Sequence, residues 1–367
     1  MDLKSLFLDH LKARQRIAEE AMAVHKLESI VLSSGAPFTY FADDCDAPFR
    51  PTPHFHHVCP VGGPHHVLHL RPGQTPRLIR YAPEDFWYEQ LPLGNPFWAD
   101  GFEITDATSV DAVWEQLGEV KQAAYIGNET ERAVAAGLPA NPAGLTAFLD
   151  WHRSYKTPYE VACIDEAAKL AARGHQAARA AFLAGGSELD IHHAYVQAVG
   201  AQDHELAFPT IVAMNEKGAT LHYENKRTLK PGLTLIMDAG ARYQNYASDI
   251  TRTHVAPGAD PRFKALREGM ERIELRLCGE AANGMPFGDL HHRTHLYLGA
   301  LLKEAGILDA DPEEAVQKGF TRIFLPHGLG HHLGIQVHDV AGKLAGPDGT
   351  LQPPPAAHPF LRTTRTI

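Results

Sequence analysis

An apolar segment that ends in an aspartate, with a second aspartate eleven residues later, constrains the fold of this chain most strongly. The segment Leu233-Thr-Leu-Ile-Met237 predicts a buried β-strand, and Asp238 and Asp249 then lie on the two arms of a hairpin. With a turn near Tyr243 and Gln244, the aspartates face each other at about 5 Å between Cβ atoms. Opposed carboxylates repel unless a cation lies between them, which indicates a divalent metal site. Solvent-exposed turn caps are the alternative interpretation.

A glycine- and histidine-rich segment carries the second chemical signal. It runs from Pro326 to Asp339 as Pro-His-Gly-Leu-Gly-His-His-Leu-Gly-Ile-Gln-Val-His-Asp. Histidine ligates transition metals and transfers protons near neutral pH. The three glycines of this segment, and the absence of HExxH from the chain, argue against a zincin-type helix. A loop or strand must therefore bring the imidazoles to a metal. Because the chain has 23 histidines, several are assigned to packing or surface positions: His54, His56, His57, His65, His66, His291 and His292.

Length and composition limit the class of protein. A chain of 367 residues suits two domains, each with its own core. The net charge of -10 provides no broad basic surface, so nucleic acid is not expected as a partner. Four widely spaced cysteines predict reduced thiols and a cytoplasmic location. Charges interrupt the apolar positions of residues 1–25, which predicts an amphipathic surface helix rather than a signal peptide or membrane span.

Hydrophobic periodicity predicts the order of the elements. Segments 28–34, 67–70 and 123–127 predict buried strands, and 109–117 and 131–136 predict helices, as in an α/β domain. After a junction at 151–158, an alanine-rich helix extends to about residue 183. A helix at 190–199, strands at 210–214 and 233–237, and a helical pair between about 261 and 305 follow.

These segments, with Phe208-Pro-Thr-Ile-Val-Ala-Met-Asn215 and Leu221-His-Tyr223, resemble the pita-bread metallopeptidases, which include methionine aminopeptidase, aminopeptidase P and prolidase. Pro326-His-Gly-Leu-Gly-His331, Gln336-Val-His-Asp-Val-Ala-Gly342 and Pro359-Phe-Leu-Arg-Thr-Thr-Arg365 most resemble bacterial Xaa-Pro dipeptidases. The resemblance implies a two-domain α/β fold. Residues 1–154 would form an N-terminal α/β domain for dimerisation and substrate gating, and 155–367 a C-terminal pita-bread α+β catalytic domain.

The same resemblance implies a role for each site residue. Asp238, Asp249 and His331 would be metal ligands, with His331 chosen because it lies seven residues before His338. His222 and His338 would transfer protons or stabilise the tetrahedral intermediate, and His327 would line the pocket. The implied reaction is hydrolysis of Xaa-Pro dipeptides by a hydroxide held between two metal ions. Oxygen-rich ligands favour Mn²⁺, with Co²⁺ or Zn²⁺ as alternatives.

Arg362 is the candidate for substrate binding. A dipeptidase must recognise the free carboxylate one residue after the cut, and a guanidinium does so with two parallel hydrogen bonds. Arg365 is the second candidate. Without the resemblance, either side chain is more typical of an ordinary surface arginine.

The sequence departs from the family where it ends. The resemblance calls for two further glutamate ligands beyond Ile367, and no glutamate follows Glu314. We therefore expect that the sequence is a C-terminally truncated form of a longer protein. If the protein ends at Ile367, we expect little or no metal and little activity.

The sequence leaves two other activities and one non-catalytic function open. Aminopeptidase P-like cleavage of longer Xaa-Pro peptides belongs to the same class, and phosphotriester hydrolysis would be a side reaction. A metal-free binding module with the pita-bread fold is the rival from another class. The expected partners are a short proline-containing peptide and a second copy of the chain, with neither nucleic acid nor a membrane.

Overall fold

The structure is a computed structural model that describes residues 2–87, 89 and 92–367, and the chain divides into two compact units. The first unit extends to Cys163 and includes Gln244–Tyr246 and Pro347–Gly349. The second comprises Ile164–Tyr243, Ala247–Gly346 and Thr350–Ile367.

A five-stranded mixed sheet forms the centre of the first unit, in the strand order β4-β3-β2-β1-β5. Its core packs Val31, Val67, Ile79 and Tyr125, all fully buried. The predicted strands at 28–34, 67–70 and 123–127 are confirmed as β1, β2 and β5, while β3 and the largely exposed β4 were not predicted. The elements are α1 (Leu3–His25), β1 (Ser29–Ser33), α2 (Pro53–Val58), β2 (Val67–Leu70), β3 (Arg77–Tyr81), β4 (Glu103–Ala107), α3 (Val110–Leu117), β5 (Ala123–Ile126), α4 (Thr130–Ala135) and α5 (Ala143–Arg153).

Helix α1 confirms the amphipathic helix predicted for the first residues. The Asp2 side chain caps its N-terminus by accepting a hydrogen bond from the Ser5 N–H, and Lys26 ends it in the left-handed conformation. Phe7, Leu11 and other apolar side chains bury one face against the unit, so burial of this stripe stabilises the helix. Among the described residues, no helix has both the length and the apolar character needed to cross a bilayer.

An antiparallel three-stranded sheet in the order β10-β7-β6 forms the centre of the second unit. Its core packs Ile191, Val212, Leu235 and Met237, all fully buried. The predicted helices and strands of this half are confirmed with shifts of a few residues at their ends. The elements are α6 (Pro158–Leu183), which begins in the first unit, α7 (Glu188–Val199), β6 (Ile211–Met214), β7 (Thr234–Ala239), β8 (Arg242–Tyr243), β9 (Tyr246–Ala247), β10 (Ile250–Val255), α8 (Pro261–Glu280), α9 (Phe287–Glu304), α10 (Pro312–Gln317) and α11 (Thr321–Phe324).

The predicted hairpin register between β7 and β10 was wrong by two residues. Asp238 lies opposite Thr251, and Asp249 is therefore a diagonal neighbour of Asp238 on the same face of the sheet. The turn is centred on Gln244 and Asn245, whose φ angles of 47° and 70° suit a two-residue type I′ turn. Asn tolerates this conformation well, so Asn245 was the sequence signal for the correct turn.

Gly240 fixes the path of the chain between the two aspartates. A Cβ atom at this position would lie 1.9 Å from the Ser248 carbonyl oxygen and 2.9 Å from the Ala207 Cβ. Ser248 is itself held, because its hydroxyl donates to the Ala167 carbonyl and its N–H donates to the Ala241 carbonyl. The backbone segments before and after the turn can approach this closely only with glycine at 240.

We expect Gly240→Ala to lower the free energy of unfolding by about 3 kcal/mol, because the methyl group meets a backbone atom that cannot rotate away. Gly279→Ala is the control, since a Cβ at this position in α8 meets nothing within 4 Å. It should leave stability unchanged or raise it slightly. Urea unfolding of both variants checks the difference, and equal midpoints would contradict the close approach.

A buried cluster of polar side chains lies in the first unit around Glu160, whose side chain is fully buried. His57 Nε2 lies 3.1 Å from Glu160 Oε1, and the Tyr246 hydroxyl donates to the same oxygen at 3.2 Å. His10 Nδ1 lies 3.7 Å from Oε2. Burial lowers the pKa of His10 to about 4 and that of His57 to about 3, so both rings are neutral at pH 7.

Acid should therefore destabilise this protein well above the ordinary range of carboxylate titration. Because His10 and His57 have lower pKa values folded than the usual 6.5, the unfolded chain binds more protons below that pH. Their stabilising contribution is complete above about pH 6.5 and is lost as the pH falls toward 4. We expect His57→Gln to reduce this slope by up to about 1.4 kcal/mol per pH unit.

Urea unfolding at pH 7, 6 and 5 measures that slope. His193→Gln, at an exposed position of α7, is the matched control and should follow the unsubstituted protein. Identical slopes for His57→Gln and the unsubstituted protein would contradict the lowered pKa of His57 in the folded protein.

Candidate metal centre

Asp238 provides a buried oxygen atom that lacks a hydrogen-bond donor. It lies near the end of the central strand β7, between Thr251 of β10 and Ile211 of β6. Its Oδ1 is buried and, among the described residues, has no hydrogen-bond partner. Burial, followed by the nearby charge of Asp249, raises the pKa of Asp238 to about 6. A buried acceptor without a donor is costly, so this oxygen fits a cation.

Asp249 and His331 meet directly. Asp249 Oδ2 lies 3.2 Å from His331 Nε2, and the two side chains are 22% and 20% exposed. His331 Nδ1 lies 2.9 Å from the His332 carbonyl, so Nδ1 carries a proton and donates to it. Nε2 of a neutral ring would then present a lone pair to a carboxylate. Two facing acceptors require either a proton or a cation between them, so these side chains fit part of an oxygen- and nitrogen-containing ligand set.

Electrostatics support this interpretation of His331. Burial lowers its pKa, but hydrogen bonds to the Asp249 carboxylate and the His332 carbonyl outweigh burial and raise the pKa above 6.5. The carboxylate therefore stabilises positive charge at the ring, whether this charge is a proton or a metal ion.

Hydrogen bonds to main-chain carbonyls hold the glycine-rich loop beside the hairpin. The Ala247 N–H donates to the Gly334 carbonyl at 2.9 Å, and Arg242 Nη1 donates to the Ile335 carbonyl at 3.0 Å. Arg242 Nη2 also donates to the Ala207 carbonyl at 3.2 Å. One arginine thus connects the hairpin, the loop and the segment before β6, which places His331 next to Asp249.

His338, His222 and Arg362 surround this centre. The rings of His338 and His331 meet nearly at right angles, with centroids 4.4 Å apart. Burial, followed by the charges of His331 and Arg362, lowers the pKa of His338, and His222 acts on it in the same direction. The structure therefore brings four residues of the predicted site close to His331, and His222 near enough to act on His338. The four are Asp238, Asp249, His338 and Arg362.

His327 lies in different surroundings. Its Nδ1 is 2.9 Å from the Gly328 carbonyl, and the residue lines a cavity of about 290 Å³ with His291 and His358. The described lining of that cavity includes neither Asp249 nor His331. Its role in lining the substrate pocket stays a prediction.

Sequence reasoning missed two residues that shape the centre. Thr251, opposite Asp238, forms a side-chain hydrogen bond with it that partly counteracts its raised pKa. Arg242 connects three segments through main-chain carbonyls. The correct turn at Gln244 and Asn245 would have identified Thr251, whereas no local pattern marks Arg242.

Comparison with known proteins gives consistent matches over both halves of the chain. Residues 162–354 match the model of metallopeptidase family M24, and residues 5–151 match that of the Xaa-Pro dipeptidase N-terminal domain. The Xaa-Pro dipeptidases of Pseudoalteromonas atlantica and Xanthomonas euvesicatoria pv. vesicatoria are 39% and 38% identical to the chain. Both alignments span 100% of this chain and, respectively, 84% and 83% of the relative.

Solved structures share the fold. Proline aminopeptidase P II from Yersinia pestis matches with a TM-score of 0.71 and 21% identity, over 92% of this chain and 85% of that one. Zinc-substituted aminopeptidase P of E. coli in complex with product matches with a TM-score of 0.71 and 20% identity, over 94% and 84%. At these identities the likeness concerns the fold alone, and it confirms the predicted two-domain α/β fold with a pita-bread domain.

Asp249→Asn should separate the electrostatic contributions in the metal-free protein. Removal of the charge should lower the pKa of His331 below 6.5, because burial then dominates, and should lower the pKa of Asp238 from about 6. NMR titration of the imidazole and carboxyl signals in the presence of a chelator measures both shifts. Asp260→Asn, which removes an exposed carboxylate at the N-terminus of α8, should change neither. An unchanged pKa of His331 in Asp249→Asn would contradict the pairing of Asp249 with His331.

Proposed function

This chain belongs to metallopeptidase family M24, and from that premise we propose that it hydrolyses Xaa-Pro dipeptides through a centre built on Asp238, Asp249 and His331. It is a metallopeptidase, and relatives aligned over its whole length are Xaa-Pro dipeptidases. The site assignment rests on the 3.2 Å distance between Asp249 Oδ2 and His331 Nε2. Asp238 supports it, because its buried Oδ1 has no hydrogen-bond partner among the described residues.

The three side chains fit divalent cations, because two carboxylates and one imidazole offer mainly oxygen ligands. Oxygen-rich ligation favours Mn²⁺, with Co²⁺ or Zn²⁺ as alternatives. Bound here, divalent cations would supply Lewis acidity for the attack of water on the scissile carbonyl. Asp238 and Asp249 would be fixed for this task by the sheet, and His331 by its hydrogen bond to the His332 carbonyl.

His338 and His222 are the proposed proton carriers. Burial and neighbouring positive groups lower the pKa of His338, so its ring is neutral at pH 7. A neutral imidazole can donate a hydrogen bond to the developing oxyanion or hold a proton for the proline nitrogen as that nitrogen leaves. His222 lies close enough to act on His338 electrostatically, which supports a shared role.

Arg362 is proposed to bind the free carboxylate of the dipeptide. Its side chain is exposed, and its charge acts on both His331 and His338. A guanidinium beside the reacting atoms can hold a carboxylate by two hydrogen bonds and so orient the peptide bond. Longer peptides lack a carboxylate at this distance, which would restrict cleavage to dipeptides.

The N-terminal domain, residues 1–154, is proposed to form a homodimer contact and to restrict substrate entry. Exposed aromatic side chains in this domain support a protein contact, since large exposed apolar groups commonly mark interfaces. These are Phe38, Tyr40, Phe41, Phe86 and Trp87. A cytoplasmic location is proposed because all four cysteines are free, two of them exposed.

Steady-state kinetics with Ala-Pro and Ala-Pro amide test the function and the role of Arg362. In a protein that carries all the metal ligands, including the two further glutamates, we expect Mn²⁺-dependent turnover of Ala-Pro and little turnover of Ala-Pro-Gly-Gly. Arg362→Gln should raise KM for Ala-Pro by roughly 10- to 100-fold, as loss of a charge-assisted hydrogen bond does, and should affect the amide much less.

Arg365→Gln is the matched control from the same segment and should leave KM within about threefold of its original value. A larger loss in Arg365→Gln than in Arg362→Gln would move carboxylate binding to Arg365. Preferred turnover of Ala-Pro-Gly-Gly would indicate aminopeptidase P activity. Absence of both bound metal and turnover would favour a binding module.

A further inference from the structure

Three histidines form a buried cluster apart from the Asp249–His331 centre. His291 and His295 lie one turn apart on the same face of α9, and His358 follows the proline-rich segment. Each offers one ring nitrogen, and these three nitrogens lie within 4.8 Å of one another. His291 and His295 are 1% and 0% exposed. Among the described residues, the ligand atoms of this group are imidazole nitrogens alone.

We propose that His291, His295 and His358 form a second metal site, which binds one borderline divalent cation of the Zn²⁺ type in tetrahedral geometry. The fourth position would face the neighbouring cavity. This site shares no ligand with the Asp238, Asp249 and His331 centre.

The hydrogen bonds of His295 are those of a metal ligand. Its Nδ1 lies 2.9 Å from the Thr321 hydroxyl, and Thr321 is fully buried. This leaves Nε2, which is buried and has no partner among the described residues. Histidine ligands usually have one ring nitrogen held by a neighbouring polar group while the other binds the metal. Thr321 would therefore position the ring, and the unpartnered Nε2 would be the ligand atom.

The spacing of His291 and His358 also suits a cation. His291 Nε2 lies 3.0 Å from His358 Nδ1. Bonds of about 2.0–2.1 Å in tetrahedral zinc separate two nitrogen ligands by roughly 3.3 Å. A small opening of this pair would bring the two nitrogens to that separation, with the third ligand atom of the cluster within 4.8 Å of both.

The protonation state favours metal binding, and the surrounding charges define the fourth ligand. Burial lowers the pKa of His291 and His295 to about 4 and also lowers that of His358, so the rings are neutral at pH 7. The charged and titratable neighbours that act on the cluster are Arg322, His292 and His327. None of these three groups is acidic, so they disfavour a cation that has only neutral ligands. They favour a cation whose fourth ligand is an anion or hydroxide.

The cavity provides the room for that ligand. It has a volume of about 290 Å³, and its lining includes His291, His358 and Arg322. A ligand that enters here reaches two of the three imidazoles and the guanidinium. A nitrogen-only set selects Zn²⁺ or Co²⁺ over Mn²⁺, which prefers oxygen, so the two centres should differ in metal preference.

Cobalt titration of the full chain tests the site. The Asp238→Asn/Asp249→Asn double variant removes the carboxylate centre, and tetrahedral Co²⁺ absorbs strongly in the visible range. We expect the metal-stripped double variant to bind one Co²⁺ per chain with these bands. Addition of His358→Gln should abolish them, and addition of His292→Gln, an exposed neighbour on α9, should preserve them.

Thr321→Val gives a second variant that keeps all three ligands. Loss of the group that positions His295 should weaken Co²⁺ binding by roughly 10- to 100-fold. Circular dichroism of the metal-free proteins establishes which variants fold. A Zn²⁺-dependent rise in the Tm of the double variant measures metal binding without any further substitution.

Two results would overturn the proposal. One is a double variant that neither develops the visible bands with stoichiometric Co²⁺ nor gains Tm with Zn²⁺. The other is a folded His358→Gln variant that retains the bands at full strength, because the cation would then lie elsewhere.

Discussion

Repulsion between the carboxylates of Asp238 and Asp249 is the constraint on which the candidate metal centre depends. The sheet holds them on one face as diagonal neighbours, and burial prevents water from fully screening their charges. One oxygen of Asp238 has no donor among the described residues, and Asp249 faces a ring nitrogen of His331. A fold that holds two carboxylates and an imidazole in this way stores an electrostatic cost that divalent cations can offset.

Contacts to backbone atoms, rather than the ligands themselves, hold this arrangement in place. Gly240 allows the chain before the turn to approach the Ser248 carbonyl, where a Cβ atom would clash. Arg242 and Ala247 then hold the glycine-rich loop through its carbonyls. Because these contacts do not involve the metal ligands, the site can be largely formed before a cation binds, which limits the ordering cost of binding.

The two proposed metal sites differ in chemistry and in origin. The proposed peptidase centre would combine oxygen and nitrogen ligands from a hairpin and a loop that are distant in sequence. The proposed histidine site would use nitrogen alone, with His291 and His295 presented by one helix turn. Sequence analysis assigned His291 to packing, because a single histidine in a histidine-rich chain is uninformative without knowledge of its neighbours. The position of His358, 67 residues from His291, became meaningful only in three dimensions.

Local sequence determined the elements of this protein and the chemical type of its main site. Apolar segments and alanine-rich periodicity specified β1, β2, β5, α6 and β7, because burial and propensity act over a few residues. The motifs around Asp238 and His331 indicated metal chemistry. Only the tertiary structure decided that Thr251 lies opposite Asp238, that Arg242 anchors the loop, and that three distant histidines meet. These depend on the turn at Gln244 and Asn245 and on long-range packing, which no short window of sequence contains.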